Sequence, residues 1–154
     1  MEFHHLPVLL TECMDGLRVV PGGKYLDCTL GGGGHTLEIL RRGGRVTGID
    51  RDADAIAAAT ERLGDSPCFT AIRGNFHDVR ELLAQRGVEQ IDGMLLDLGV
   101  SSHQLDTESR GFSYHGDAPL DMRMDQRQSL TAGEIVNMWP EREIARILSD
   151  YGEE

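Results

Sequence analysis

Long apolar runs are missing from this chain. No window approaches the ~18 consecutive apolar residues that a membrane span needs, which excludes a helical membrane anchor within it. The N-terminus, Met1-Glu2-Phe3-His4-His5, has neither the basic region nor the apolar stretch of a secretory signal, so a cytoplasmic protein is expected. Cysteine is scarce: Cys13, Cys28 and Cys68 are odd in number and widely spaced, which excludes a disulfide framework and a zinc motif. Cys28 lies in a strand-like run and is expected to be a small buried hydrophobe. Positive charge is short as well, with 15 Lys and Arg against 26 Asp and Glu and a net charge of −11. A nonspecific nucleic-acid coat needs a basic face and is excluded; a nucleic-acid substrate, which needs only local positive charge, is compatible with this balance. The histidines, His4, His5, His35, His77, His103 and His115, form no i, i+4 pair and have no cysteine partner, so no metal site is expected. No G-x-S-x-G or paired Cys/His nucleophile is present.

What remains is 154 residues, 40% hydrophobic and 27% charged, with 19 glycines. That composition suits a soluble globular domain of ordinary size. Leu9, Cys13 and Leu17 recur at helical spacing before Pro21-Gly22-Gly23 stops the pattern. Strands are expected at 24–29, 45–50, 69–73 and 91–98, the last apolar enough to be buried on both faces. Helices are expected at 35–42, closed by Gly43-Gly44; after Asp52, which can cap, with Ile56, Ala59 and Leu63 on one face; and around Val79, Leu82 and Leu83. This alternation predicts an α/β fold with a parallel, Rossmann-like sheet, whose ligands bind beyond the carboxyl ends of the strands. Residues 102–130 read as one long loop. A final helix carries Ile144, Ile147, Leu148 and Tyr151 on one stripe, with Pro140 near its start. In the usual doubly wound order the strand at 91–98 would lack an outer partner, so an exposed apolar edge, and a fragment of a longer protein, are expected.

The strongest chemical signal is Tyr25-Leu-Asp-Cys-Thr-Leu-Gly-Gly-Gly-Gly-His35, followed by Asp50. Glycines after a strand let the backbone approach a nucleotide. An acid ending the next strand, 19 positions past Gly31, is placed to accept from ribose hydroxyls. Asp50→Asn is therefore expected to harm cofactor binding less than Asp50→Ala, because an amide oxygen still accepts. A pyrophosphate fingerprint needs a third glycine, and both registers fail, with Thr36 or Leu37 in that slot. This tilts the cofactor from NAD towards S-adenosyl-L-methionine. At Asp97-Leu-Gly-Val-Ser-Ser102 a buried strand ends in a carboxylate that can hold the methionine amino group, accept a proton from an amine, or merely cap the next segment. Phe76 can stack on adenine or belong to the core.

His5-Leu-Pro-Val-Leu-Leu, Asp27-x-Thr-x-Gly-x-Gly-Gly-His35, Gly48-Ile-Asp50-Arg-Asp, Asp92-Gly-x-Leu-Leu-Asp-Leu-Gly-Val-Ser-Ser102 with Gln104-Leu-Asp, Arg110-Gly-Phe-Ser, Pro119-Leu-Asp-Met-Arg-Met-Asp125 and Tyr151-Gly-Glu-Glu154 together resemble the MraW/RsmH family. The resemblance runs in order along nearly the whole chain. It implies a class I methyltransferase that transfers the methyl of S-adenosyl-L-methionine to the exocyclic N4 of a cytidine in 16S, small-subunit ribosomal RNA. It also implies a relative about twice as long, with residues 1–102 forming the N-terminal part of the Rossmann-like domain and 103–154 a long loop and the start of an inserted helical subdomain. On matching positions it places Gly33, Gly34 and His35 in the cofactor loop, Asp50 at the ribose, Phe76 at adenine, and Asp97 and Gln104 at the methionine end, with Asp97 as the catalytic candidate. Arg110, Arg123 and Arg127 either receive RNA or pair with the five acids of their loop. The alternatives are an S-adenosyl-L-methionine- or RNA-binding module without activity in this truncated form, and an NAD-dependent oxidoreductase.

Overall fold

The chain divides into two compact units, Met1–Gly99 and Val100–Glu154, and residues 7–152 are described in the computed structural model. In the first unit α1 (Leu10–Leu17) leads to β1 (Lys24–Asp27), α2 (Gly34–Arg41), β2 (Arg45–Asp50), α3 (Ala53–Leu63), β3 (Phe69–Arg73), α4 (Val79–Ala84) and β4 (Gly93–Leu95). All four strands are parallel, in the order β3-β2-β1-β4. The expected Rossmann-like α/β sheet is present.

Successive side chains of β1 point to opposite faces and so serve two cores. Tyr25 joins Met14, Ile39 and Val46, packed by Leu10, Leu17 and Leu40 of α1 and α2. Leu26 joins Cys28, Ile49 and Ile72, packed by Val79, Leu82 and Leu83 of α4. A one-residue slip would exchange these sets, so the register Tyr25↔Val46 and Tyr25↔Gly93 is strongly specified. The boundaries follow local chemistry. Asp52 accepts from the Asp54 amide at 3.1 Å and starts α3. Gly43, at φ +84°, takes the left-handed position that lets the chain leave α2.

β4 departs from expectation. The apolar run 91–98 gives a strand of only three residues, paired with β1 alone, and Leu95 is buried while Met94, Leu96 and Leu98 are exposed. Among the described residues the outer side of β4 has no ladder partner, so alternation replaces burial on both faces. An apolar edge of this kind templates association. The 154-residue polypeptide is therefore expected to self-associate in sedimentation velocity, and Leu96→Lys to shift it towards monomer. A wild-type chain that sediments as a single monomer and melts cooperatively would contradict this account of the edge.

The second unit contains more helix than expected. α5 (Ser102–Asp106) and a single 3-10 turn, Glu108–Arg110, open the supposed loop, and α6 (Ala132–Met138) precedes α7 (Glu141–Gly152). Two capping boxes explain the extra helices. The Gln104 amide donates to Ser101 Oγ at 3.2 Å and Gln104 Oε1 accepts from the Ser101 amide at 3.1 Å; Thr131 and Glu134 repeat the pattern at α6. Between them the arginines organise the backbone. Arg110 is buried, and its Nη2 donates to the carbonyls of Arg123 and Met124 at 3.0 and 3.1 Å. Arg123 forks onto Asp121, with Nε to Oδ1 at 2.9 Å and Nη2 to Oδ2 at 2.6 Å, and Nη1 reaches the Gln128 carbonyl at 2.6 Å. Arg127 forks onto Asp125 in the same way. The hydrogen bond from Arg123 holds the Asp121 carboxyl below the usual carboxylate range. Of the two roles open to these arginines, pairing within the loop is the one the geometry displays.

Candidate functional site

In an open parallel sheet a ligand sits beyond the carboxyl ends of the strands where their order reverses. Here that point lies between β1 and β4. The loops leaving these strands are tied together, the Asp97 amide donating to Thr29 Oγ1 at 2.7 Å.

Asp27 closes β1 and is buried, with Oδ2 accepting from Thr36 Oγ1 at 2.8 Å and Oδ1 from the Thr29 amide at 3.2 Å. One carboxylate thus fastens the start of the glycine loop to the first turn of α2. Burial pushes its pKa up, while the bonds from Thr36 and Thr29 pull it down. The same desolvation, with the Asp27 charge nearby, raises the neighbouring Cys28 thiol to about 11, and Cys28 is the inert buried hydrophobe expected.

Asp50 ends β2 and reaches back to the loop. Its Oδ2 accepts from the Gly31 amide and its Oδ1 from the Asp52 amide, both at 2.9 Å. A carboxylate offers about four acceptor sites, so these two bonds, with a further one from the Arg51 amide, leave capacity for a sugar hydroxyl. They also correct the expectation for Asp50→Asn: both oxygens face backbone N–H groups, and an amide would set its own donor against one of them. Burial raises the Asp50 pKa, opposed by the bonds from Asp52 and Gly31. Ionised Asp50 is the form that accepts from hydroxyls. Affinity for a ribose-bearing cofactor is therefore expected to fall on acidification from a pH above the ordinary aspartate value of 3.8, as calorimetric titration at graded pH would measure. A limb centred at or below 3.8 would contradict it.

The glycines divide by what their missing side chains make room for. Gly33, at φ +74°, would carry a Cβ 3.0 Å from Leu63 Cδ1 of α3, and a Cβ on Gly34 would run into the Pro7 ring. A Cβ on Gly31, at φ +50°, would meet only the Thr29 carbonyl oxygen, at 3.9 Å. Gly33 and Gly34 thus satisfy internal packing, and Gly31 is the open approach. His35 is buried, and its Nε2 lies 3.1 Å from the Val8 carbonyl oxygen. It shares the loop by its backbone while its ring holds the chain ahead of α1.

Phe76 follows β3 in the 3-10 turn Phe76–Asp78, started by Asn75, whose Oδ1 accepts from the His77 amide. It is half-buried against the Leu26–Ile49 core, and the Arg51 guanidinium stands 5.9 Å from its ring centroid. Asp97 is exposed just past β4, where its charge raises the Cys13 thiol pKa after the larger effect of burial. Gln104 lies in the second unit, buried, with Oε1 spent on its capping box. Hydrogen bonds thus link Gly31 to Asp50 and the glycine-loop segment to Asp97. Thr29, Thr36 and Val8 hold the site, yet the sequence showed them only as motif members or, for Thr36, as the residue filling a failed glycine slot, and not as hydrogen-bond partners.

The whole described chain is matched by the model of the MraW methylase family, over residues 2–154. The chain belongs to that family. It is 55% identical over 160 residues to the ribosomal RNA small subunit methyltransferase H of Symbiobacterium thermophilum, and 54% identical over 158 residues to that of Lachnospira eligens. In both cases all of this chain covers 50% of the relative, so the chain spans about half the length of the curated relatives it matches. Among solved structures, the C-terminal domain of precorrin-6Y C5,15-methyltransferase from Rhodobacter capsulatus superposes with a TM-score of 0.50 at 20% identity, covering 65% of this chain and 54% of that one. That likeness concerns the fold, which is the class I methyltransferase type.

Proposed function

We propose that the MraW-family chain described here carries the S-adenosyl-L-methionine half of an enzyme that methylates the N4 of a cytidine in small-subunit ribosomal RNA. The observation that carries the proposal is Asp50, a carboxylate at the end of β2 bonded to the amide of Gly31, a loop glycine whose missing side chain would meet nothing closer than 3.9 Å. The residues suit the cofactor: acceptor capacity for the ribose at Asp50, backbone at Gly33–His35, an aromatic edge at Phe76 for adenine, and the Asp97 carboxylate for the methionine amino group. Family membership and the relatives' names as ribosomal RNA methyltransferases support the substrate class.

When bound, the cofactor would supply an electrophilic methyl on a sulfonium, whose S–C bond breaks as the N–C bond forms and a neutral thioether leaves. The chain's contribution is alignment. The N4 lone pair of cytidine is delocalised into the ring, and an acceptor that binds one N–H favours a more nucleophilic nitrogen and later removes the proton. Asp97 is the candidate for that acceptor role, as the alternative to holding the methionine amino group. A stacked or paired target base has to leave its stack first.

Calorimetry with S-adenosyl-L-methionine and with NAD tests the cofactor, and methyl transfer to small ribosomal subunits by the full-length protein tests the reaction. Binding of the first ligand and not the second is expected. Binding of NAD alone would return the oxidoreductase, and cofactor binding with no transfer by the full-length protein would leave a binding module.

A further inference from the structure

The segment Pro7–Leu9 is fastened to the glycine loop in a way that the assigned cofactor contacts do not require. The Pro7 ring occupies the space that a side chain on Gly34 would fill. The Val8 carbonyl meets buried His35 Nε2 at 3.1 Å. Leu9 then takes a left-handed backbone, φ 51° and ψ 36°, unusual for a branched residue, and turns the chain into α1. At the other end of this path α1 runs beside β4, with Leu17 against Gly93, and Cys13 feels the charge of Asp97. The segment therefore lies against the start of α2, in the loop assigned to the cofactor, and leads into α1, which runs along β4 towards Asp97, the residue assigned to the methionine end. Val8 and Leu9 are 60% and 63% exposed there, apolar surface that none of the described residues covers.

We propose that Pro7–Leu9 is a strap forming one wall of the cofactor site at its methionine end, and that His35 is the positioning residue that holds it. The inference rests on the cofactor reading above. Its chemistry is simple: the aliphatic chain and sulfonium of the cofactor lie against Val8 and Leu9, while Pro7 on Gly34 and His35 on Val8 set the wall's distance from the loop. Gly34 is then a glycine because of the strap, while its backbone stays available to the cofactor.

The test uses the full-length protein and S-adenosyl-L-methionine, with affinity from calorimetry and hydrogen exchange read at the Cys13 amide, which donates to the Leu9 carbonyl at 2.8 Å. In wild type the cofactor is expected to slow exchange there. His35→Ala and Pro7→Gly each weaken binding about 5- to 10-fold and abolish that slowing, the scale of one lost neutral hydrogen bond. His35→Gln, whose amide can still donate to Val8, recovers most of both. A protein that binds the cofactor with wild-type affinity in both His35→Ala and Pro7→Gly overturns the strap alone. Loss in His35→Ala with no recovery in His35→Gln and none of the effect in Pro7→Gly overturns it too, because His35 would then touch the cofactor directly. Absence of cofactor binding in wild type itself overturns the cofactor reading and the strap together.

Discussion

Asp50→Ala in the full-length protein is expected to weaken S-adenosyl-L-methionine binding by about 10- to 150-fold, from the roughly 1.5–3 kcal/mol of a charged acceptor on sugar hydroxyls. The structure adds a second source of loss. Removing the carboxylate also frees the Gly31 and Asp52 amides, so the glycine loop and the start of α3 lose a common anchor. Asp50→Asn is no refuge. Its single carbonyl oxygen can serve one of the two backbone donors, and its NH₂ must confront the other. The asparagine variant is thus expected within a few-fold of the alanine variant. Calorimetry on both settles the matter: an asparagine variant that binds like wild type would mean that the Gly31 and Asp52 bonds do not set the loop. RNA affinity should be the same in both variants as in wild type, which separates this effect from global damage.

Where periodicity and punctuation carry the signal, the sequence is enough. β2 at Arg45–Asp50 and β3 at Phe69–Arg73 have the limits expected of them, because each is an apolar run between glycines or polar turns. Asp52 caps α3 as expected from an acid set just before an apolar stripe. The excess length given to β4 has a different origin. An apolar run reads as a buried strand, yet burial depends on what covers it; Met94 is exposed within the three-residue ladder, and Leu96 and Leu98 lie past its end. α6 was legible in principle, since Thr131-Ala-Gly-Glu134 is a capping box. Polar residues around it and a loop-like composition hid it. Within the site, Asp50 is readable because a strand-end acid at a fixed distance from a glycine turn has a known use. The His35 contact is not readable, because its partner is a backbone carbonyl 27 residues away and no residue type marks a carbonyl.

Asp27 should respond to the same pair of substitutions in the opposite way to Asp50. Asp27→Ala leaves the Thr36 hydroxyl and the Thr29 amide unpaired in a buried place, and is expected to cost about 2–3 kcal/mol. For a unit of this size that lowers the melting temperature by roughly 10–20 °C. Asp27→Asn can keep both bonds. Its oxygen accepts from the Thr29 amide, and its NH₂ donates to Thr36 Oγ1, a hydroxyl that can accept as readily as it donates. The amide also removes the cost of a buried charge. Burial raises the Asp27 pKa, so the native chain holds that proton more tightly than the unfolded chain, whose aspartate titrates near 3.8. Wild-type stability from this group is therefore greatest below 3.8 and falls as pH rises through the native value. Asp27→Asn has no proton to lose and lacks that slope, so its stability relative to wild type should rise with pH across the window and then level off. Urea unfolding of both proteins at graded pH measures the difference directly. Carboxylates not coupled to Asp27 cancel in it, including Asp121, whose lowered pKa works in the opposite direction. A difference that stays flat with pH would show that Asp27 titrates alike in the folded and unfolded chains, and the carboxylate at the end of β1 would then be far better solvated than its burial implies.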